Sequence, residues 1–479
     1  MYPRRFDSYV YQTQRWVVVH PSFFREEGIG MKNQMEMTTG SIAPKLLLFA
    51  VPLACTGILQ QLFNAADVMV VGRFVGSEAM AAVGSNGAFI GLLVNLFIGV
   101  SLGANVVIAR ATGRKDEETI KAGVHNAILI AIIGGFLLLA IGELLARPLL
   151  GILGVPSNIF PLALLYLRIY FIGMPVILLY NFESAIFRSQ GNTKTPLIVL
   201  ILSGCTNVVL NLVFVVGFGR SVDGVAIATV TSNVMSSTIL FWILKKTEGP
   251  TQIDWQAFHF DEPILKEIFR IGLPAGLQSC VFSISNLIIQ SAINSLGATV
   301  MAASSAAFNL EIIAYYVINA FGQGCTTFTS QNYGARQPER CVKVARWSMI
   351  LAWIAAGLCT LVLCGLSSLL LSLFTTDPQV IHYGVIRLWY IAGFECINAI
   401  LEVISGCMRG YGYSFVPAII TLVSICGVRV TWTYTIFQIH HSFAILMLSY
   451  PVSWGVTAIA LILAYFYFKK HILPKEWAR

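Results

Sequence analysis

The sequence is poor in charge. Only 11% of its 479 residues are Asp, Glu, Lys or Arg, against about 25% in soluble globular chains, which excludes an ordinary soluble enzyme. Disorder is excluded as well, because disordered chains are polar and highly charged whereas 56% of this one is hydrophobic. Metal and redox motifs are missing. The ten cysteines form no Cys-x-x-Cys pair and lie mostly in apolar runs, so they read as small hydrophobic side chains. There is no His-Glu-x-x-His, and His440-His441 sits in a short loop, which speaks against a membrane protease or acyltransferase. The nearest approach to a phosphate loop, Gly191-Asn-Thr-Lys-Thr195, lacks the second glycine and the spacing, which speaks against an ATP-driven pump. No Gly-rich filter repeat suggests a channel.

What the chain has in abundance is long apolar runs. They begin near residues 42, 85, 120, 160, 193, 223, 268, 303, 343, 383, 414 and 443, and each is long enough to cross a hydrocarbon core of about 30 Å at about 1.5 Å per residue. The expected fold is therefore all-α, a polytopic membrane protein of twelve transmembrane helices whose partner is the lipid bilayer. The net charge of +8 does not point to nucleic acid. On this topology 25 of the 31 basic residues fall in segments on one side, Arg73, Arg147 and Arg220 fall on the other, and Arg168, Arg387 and Arg429 lie within spans. The positive-inside rule then places both termini in the cytoplasm of a cell-membrane protein. Residues 1–37 read as a disordered tail, with Met35 or Met37 an equally good start, since Trp16 to Val19 is too short for a span or a signal segment.

The second half repeats the first at an offset of 221 to 222 residues. Phe49-Ala-Val-Pro52 answers Arg270-Ile-Gly-Leu-Pro274, Asn64 answers Asn286, and Met80-Ala-Ala82 answers Met301-Ala-Ala303. Gly103 and Gly113 answer Gly324 and Gly334, and Arg188-x-x-Gly191-x-x-x-x-Pro196 answers Arg409-x-x-Gly412-x-x-x-x-Pro417. Six spans per half is an even number, so two six-helix lobes, 38–247 and 268–470, should be related by a pseudo-two-fold axis along the membrane normal around a shared cavity. A linker at 248–267 and a tail at 471–479 complete the expected organisation, and a monomer suffices for it. Two lobes that rock around one cavity belong to a transporter; an enzyme has no comparable need for them.

Within the first span Gln60, Asn64 and Asp67 are spaced i, i+4, i+7 and share one helical face. An ionised Asp at mid-membrane costs at least about 2.5–3.5 kcal/mol, so it must be paired, protonated or facing water. Its repeat equivalent is Ile289, so only one half carries this acid. Asp67 could load and release a proton, its oxygens could ligate Na+, or it could be buried for packing alone. Asn207 and Asn211 are spaced i, i+4 on the fifth span and Thr229 lies on the sixth. Their carbonyls and hydroxyl are neighbours that a dehydrated cation or a protonated carboxyl needs, and they are equally able to serve as polar glue between helices.

These features in this order resemble the multidrug and toxic compound extrusion family, close to its bacterial branches. The resemblance is carried by Pro52 with Asn64-Ala-Ala-Asp67-Val-Met-Val-Val-Gly72-Arg73, Val75-Gly76-Ser-Glu-Ala-Met-Ala-Ala82, the two Arg-x-x-Gly turns, Asn207-Val-Val-Leu-Asn211 and Gly224-Val-Ala-Ile-Ala-Thr229, and it covers residues 38–470. It implies an antiporter that exports organic, often cationic, compounds against an inward proton or sodium gradient, with no cofactor beyond the coupling ion. It also implies that Asn207, Asn211 and Thr229 join Asp67 in a network inside the N-terminal lobe; Asn64, on the same helical face as Asp67, is a further candidate for the coupling site, and Asn181 a weaker one. The first span would bend at Pro52 during the cycle. Where some branches place a Glu on the seventh span and an Asp on the tenth, this chain has Phe282 and Asn398.

The substrate cavity has its own candidates: Gln60, Asn181, Asn286, Gln290, Glu311 and the stripe Glu395, Asn398, Glu402 at i, i+3, i+7. That stripe could hold a cation or cationic substrate, or pair with Arg387 or Arg429 as buried ion pairs, the reading favoured here. Rings in the fourth and tenth spans (Tyr166, Tyr170, Tyr180, Trp389, Tyr390, Phe394) would suit lipophilic cations or belong to an interfacial belt. The alternative function is a lipid-linked oligosaccharide flippase, whose groove is expected to be Arg-rich, whereas most bases here lie outside the spans.

Overall fold

The computed structural model describes residues 34–152, 154–254 and 258–473. All of its regular structure there is helical, as hydrocarbon surroundings demand, because a helix satisfies its backbone polar groups within the segment. The N-terminal lobe comprises α1 (Ile42–Phe74), α2 (Ser77–Arg114), α3 (Glu117–Ile152), α4 (Phe160–Ile172), α5 (Met174–Ser189), α6 (Lys194–Leu212) and α7 (Val222–Lys246). The C-terminal lobe comprises α8 (Glu262–Ser295), α9 (Ala298–Gly334), α10 (Pro338–Gly365), the short α11 (Ser367–Ser372), α12 (Pro378–Ile391), α13 (Glu395–Gly410), α14 (Phe415–Thr421), α15 (Gly427–Tyr434), α16 (Ile436–His440) and α17 (Phe443–Tyr467). Eleven helical stretches among the described residues are long and apolar enough to cross a bilayer. The bent pair α4 and α5, which meet at 50°, makes the twelfth span. The bend falls at Gly173-Met-Pro175, where proline removes a backbone donor.

Local rules set the ends. Asp116 accepts hydrogen bonds from the Thr119 amide at 3.1 Å and its hydroxyl at 2.7 Å just before α3, which holds its carboxyl below the ordinary carboxylate range. Asp261 caps α8 by accepting from the Ile264 amide at 3.0 Å, so that helix opens ahead of the expected boundary at 268. The duplication is visible in the backbone. Gly76 and Gly297 take φ of 133° and 100°, and Gly191 and Gly412 take 80° and 88°, left-handed conformations that favour glycine at matching turns of the two lobes. Leu144, Leu361 and Val423, 65% or more exposed, face outward, where lipid replaces water.

The lobes are sealed together near the face from which α1 starts and at which α17 ends. There α2 lies against α8 so closely that a methyl group added at Gly99 or Gly103 would strike the backbone of Gly276 or Ile268, the small-residue packing that draws membrane helices together. Asn105 donates to Ala185 O at 3.1 Å and accepts from the Thr327 hydroxyl at 3.0 Å. Gln331 donates to Ser189 O at 2.8 Å, and Arg110 pairs with Glu267 at 2.6 Å. Toward the opposite face the lobes part: Gly84, Gly87 and Gly91 have nothing within 4 Å of an added Cβ, and Gln60, Asn64, Asn286 and Gln290 are exposed.

The sequence assigned residues up to 37 to a loose tail. Residues 1–33 lie outside the described residues, but Met37 is fully buried. Its carbonyl accepts from Asn332 at 3.3 Å and from Arg340 at 3.1 Å, and Arg340 also reaches the carbonyls of Thr39 and Gly40. The chain is held against the C-terminal lobe before α1 begins, because its free carbonyls meet a guanidinium with several donors.

Candidate functional site

Asp67 lies two turns before the end of α1 and is 5% exposed. Its carboxylate receives Asn211 Nδ2 of α6 at 2.6 Å on one oxygen and the Thr229 hydroxyl of α7 at 2.9 Å on the other. Asn207 Nδ2 approaches the Thr229 oxygen at 3.4 Å, and Asn211 Nδ2 also points to Asn207 Oδ1 at 3.3 Å. Tyr166 and Tyr170, whose rings are 6.1 Å apart, stand within electrostatic reach of the acid. The i, i+4 spacing of Asn207 and Asn211 puts both amides on the side of α6 that faces α1 and α7.

Two facts define what this cluster can do. Among the described residues no Lys, Arg or His forms an ion pair with Asp67, so no fixed positive charge balances it. The Asn211 Oδ1 atom is buried without a hydrogen-bond partner. One carboxylate with the neutral oxygens of Asn207, Asn211 and Thr229 is a hard, singly charged oxygen set. It fits a monovalent cation or a proton better than a divalent ion, which recruits several carboxylates. No group of three or more His, Cys, Asp or Glu among the described residues could hold another metal.

Other expected residues fall elsewhere. Asn64 and Gln60 share the helix with Asp67 but are exposed toward the cleft and form none of the bonds in this cluster. Asn181 is part-buried and donates to Ile177 O at 2.8 Å. Gln290 is exposed and donates to Asn294 at 2.9 Å, while Asn286 accepts from Arg429 at 2.9 Å. Pro52 is accommodated within an uninterrupted α1, with the Thr56 hydroxyl taking its carbonyl at 2.9 Å.

The acids of the C-terminal lobe are arranged differently from the expectation. Glu311, placed among the cavity residues, is instead buried in a two-pronged ion pair with Arg387, whose Nε lies 3.0 Å from Oε2 and whose Nη2 meets Oε1, with Ser304 beside it. The glutamates of α13 pair with neither Arg387 nor Arg429. Glu395 is 2% exposed and accepts from Asn398 at 2.9 Å, and Glu402 accepts from Asn319 of α9 at 3.1 Å. Arg429 turns to Ser453, Asn286 and the face of Tyr450, 4.1 Å from its centroid. The reason is geometric: α12 and α13 are parts of one span packed along α9, and from α9 Glu311 stands opposite Arg387 while Asn319 stands opposite Glu402. Sequence spacing ranks partners within one helix and says nothing about which helix stands opposite. The tie of Asn319 to Glu402 had no signal in the sequence.

The chain has relatives. The MatE family model matches it twice, over residues 52–213 and 274–435, an offset of 222. A Bacillus subtilis protein described as a probable multidrug resistance protein, YoeA, is 30% identical over 441 residues, covering 90% of this chain and 94% of its own. A protein of Shewanella oneidensis described as an FAD transporter is 26% identical over 360 residues, 74% of this chain and 79% of its own. Among solved structures, an outward-facing multidrug resistance MATE family transporter superposes with a TM-score of 0.83 at 22% identity, covering 93% of this chain and all of that one.

Proposed function

The chain belongs to the MatE family, and from that premise we propose that it is an antiporter that exports organic compounds by alternating access, driven by a proton or Na+ at Asp67. The supporting observation is the unbalanced carboxylate of Asp67 on α1, ringed by Asn207 and Asn211 of α6 and Thr229 of α7 in the same lobe. An anion so placed in hydrocarbon is stabilised by an occupant that can come and go. In the open arrangement Asp67 takes up the ion, α1, α6 and α7 repack, and substrate leaves. With the cleft open to the other side the ion departs and substrate enters from the cytoplasm or the inner leaflet. One monovalent ion moving down about 100 mV supplies about 2.3 kcal/mol, enough for roughly fifty-fold accumulation. The basic distribution supports cytoplasmic termini, so the sealed face is the cytoplasmic one and the arrangement described is outward-open. Multidrug names among the relatives support a broad organic substrate range, and do not favour an oligosaccharide flippase.

The test is efflux of a fluorescent organic cation from cells or proteoliposomes, with proton and sodium gradients imposed separately. Asp67→Asn should reduce uphill efflux to the level of empty membranes, and only one of the two gradients should drive the wild type. Full transport by the variant would remove Asp67 from the mechanism.

A further inference from the structure

The duplication exposes an asymmetry that the transport reading leaves unused. At 221 residues' offset Arg188 answers Arg409 and Asn181 answers Glu402. In the C-terminal lobe the Glu402 carboxylate lies within electrostatic reach of the Arg409 guanidinium, although the two form no ion pair among the described residues and Arg409 Nε is likewise buried without a partner. In the N-terminal lobe an uncharged Asn stands where that acid would be. Arg188 forms no ion pair among the described residues, and its Nε is shut away from solvent with no partner. Glu183, the nearest acid in sequence, turns away to the Ser237 hydroxyl of α7 at 3.1 Å.

Arg188 faces a cavity of about 40 Å³ between α1 and α5, lined also by Thr56, Gln60, Tyr180, Asn181 and Ser184. Tyr180, Ser184 and Arg188 recur at i, i+4, i+8 on one face of α5. Tyr180 and Ser184 are each 4% exposed, and their hydroxyls stand close to one another with no other hydrogen-bond partner. Buried polar atoms are nearly always satisfied, so a guanidinium nitrogen without a partner, beside two hydroxyls that have only each other, marks a place for an acceptor. The hole could hold about three waters or the head of one small anion. On α5 its lining residues Tyr180, Ser184 and Arg188 bracket Ala185 at the level of the seal, and exposed Gln60 stands at its end toward the cleft. A favourable charge at the end of α5 explains a basic residue there, but not the cavity and the two buried hydroxyls beside it.

We propose that this cavity is an oxyanion subsite, in which Arg188, Tyr180 and Ser184 hold the carboxylate or phosphate group of an exported compound. It rests on the efflux reading and narrows it: the compounds carried include zwitterions and organic acids as well as cations. The guanidinium supplies charge and a planar fork, and the two hydroxyls supply donors from the adjoining turns.

The test compares two dyes, a tetraethylrhodamine with a free carboxylate and the ethyl ester of the same dye, which differ only in the anion. Fluorescence anisotropy with the full detergent-solubilised chain gives both affinities, and proteoliposome efflux gives both rates. The ratio of acid to ester affinity should fall about tenfold in Arg188→Gln, the scale of one charge-assisted hydrogen bond. Asn181→Glu, which copies the C-terminal lobe and keeps the arginine, should lower the ratio likewise; it guards against a folding defect in the first variant. A ratio unchanged in both variants overturns the subsite. So does loss of acid preference in the wild type when chloride at physiological level replaces isethionate, which would assign the cavity to an inorganic ion. Ester efflux with an indifferent acid ratio leaves antiport standing and removes only the subsite, whereas a wild type that takes neither dye counts against both.

Discussion

At the scale of single residues, the charges inside this protein divide by whether they are balanced. Glu311 and Arg387 are balanced: both are buried and the contact is two-pronged. Breaking such a pair strands its partner, at a cost of about 3–5 kcal/mol, while replacing both members by apolar groups is often neutral. Arg387→Met should therefore lower the thermal unfolding temperature of the purified protein, and Glu311→Leu combined with Arg387→Met should restore most of it. Asp67 is unbalanced, and the hydroxyl of Thr229 is one of two side-chain donors on its carboxylate. Thr229→Val removes about 1 kcal/mol of hydrogen bonding, so the ion concentration for half-maximal efflux should shift about fivefold, with little change in unfolding temperature. A loss of folded protein instead would mean that the hydroxyl serves packing.

At the scale of elements, the decisive contacts are those between helices with almost no side chain between them. Gly99 and Gly103 of α2 meet Gly276 and Ile268 of α8 backbone to backbone, and Gly113 meets Gln331 of α9. No rotamer change relieves a Cβ that meets a backbone atom. Gly99→Val should force the sealed face apart and shift the population toward the opposite arrangement. The readout is reactivity of a cysteine placed at Thr112 toward a membrane-impermeant maleimide in inside-out vesicles, in a cysteine-free background; it should rise several-fold, whereas Gly84→Val, at a position with open space, should leave it unchanged. Pro52 belongs to the same scale. It sits in a helix that runs through it without interruption, so any bend there is a change between states.

At the scale of the whole molecule, two duplicated lobes touch mainly through one face. The seal includes neutral hydrogen bonds between the lobes (Asn105 to Thr327, Gln331 to Ser189) and, among the described residues, the ion pair of Arg110 with Glu267. Such hydrogen bonds are individually worth about 1 kcal/mol, weak enough to be made and unmade if the lobes separate there. Joining the lobes across the seal should stop transport. Asn105→Cys with Thr327→Cys, bridged by a short bis-methanethiosulfonate in a cysteine-free background, should abolish efflux, and reductant should restore it. Continued efflux through the bridged protein would show that the lobes need not separate there.

The sequence by itself settled what depends on local composition and spacing: a bilayer protein from scarce charge and long apolar runs, twelve spans, a duplication, and the candidate acid Asp67, since one carboxylate in an apolar run is conspicuous without any fold. It also aligned Asn207 with Asn211, because i, i+4 spacing fixes a shared helical face. Only the tertiary structure decided which faces meet. Asp67 and Asn211 are 144 residues apart, Glu311 won Arg387 from the two glutamates of α13, the residues just before α1 were pinned by Arg340, and Arg188 was left facing a hole. Hydropathy assigns a helix to the membrane with equal force whichever neighbour it has, because lipid and buried protein are alike apolar; the choice of neighbour rests on small residues, shape and a few polar contacts that no window along the chain contains.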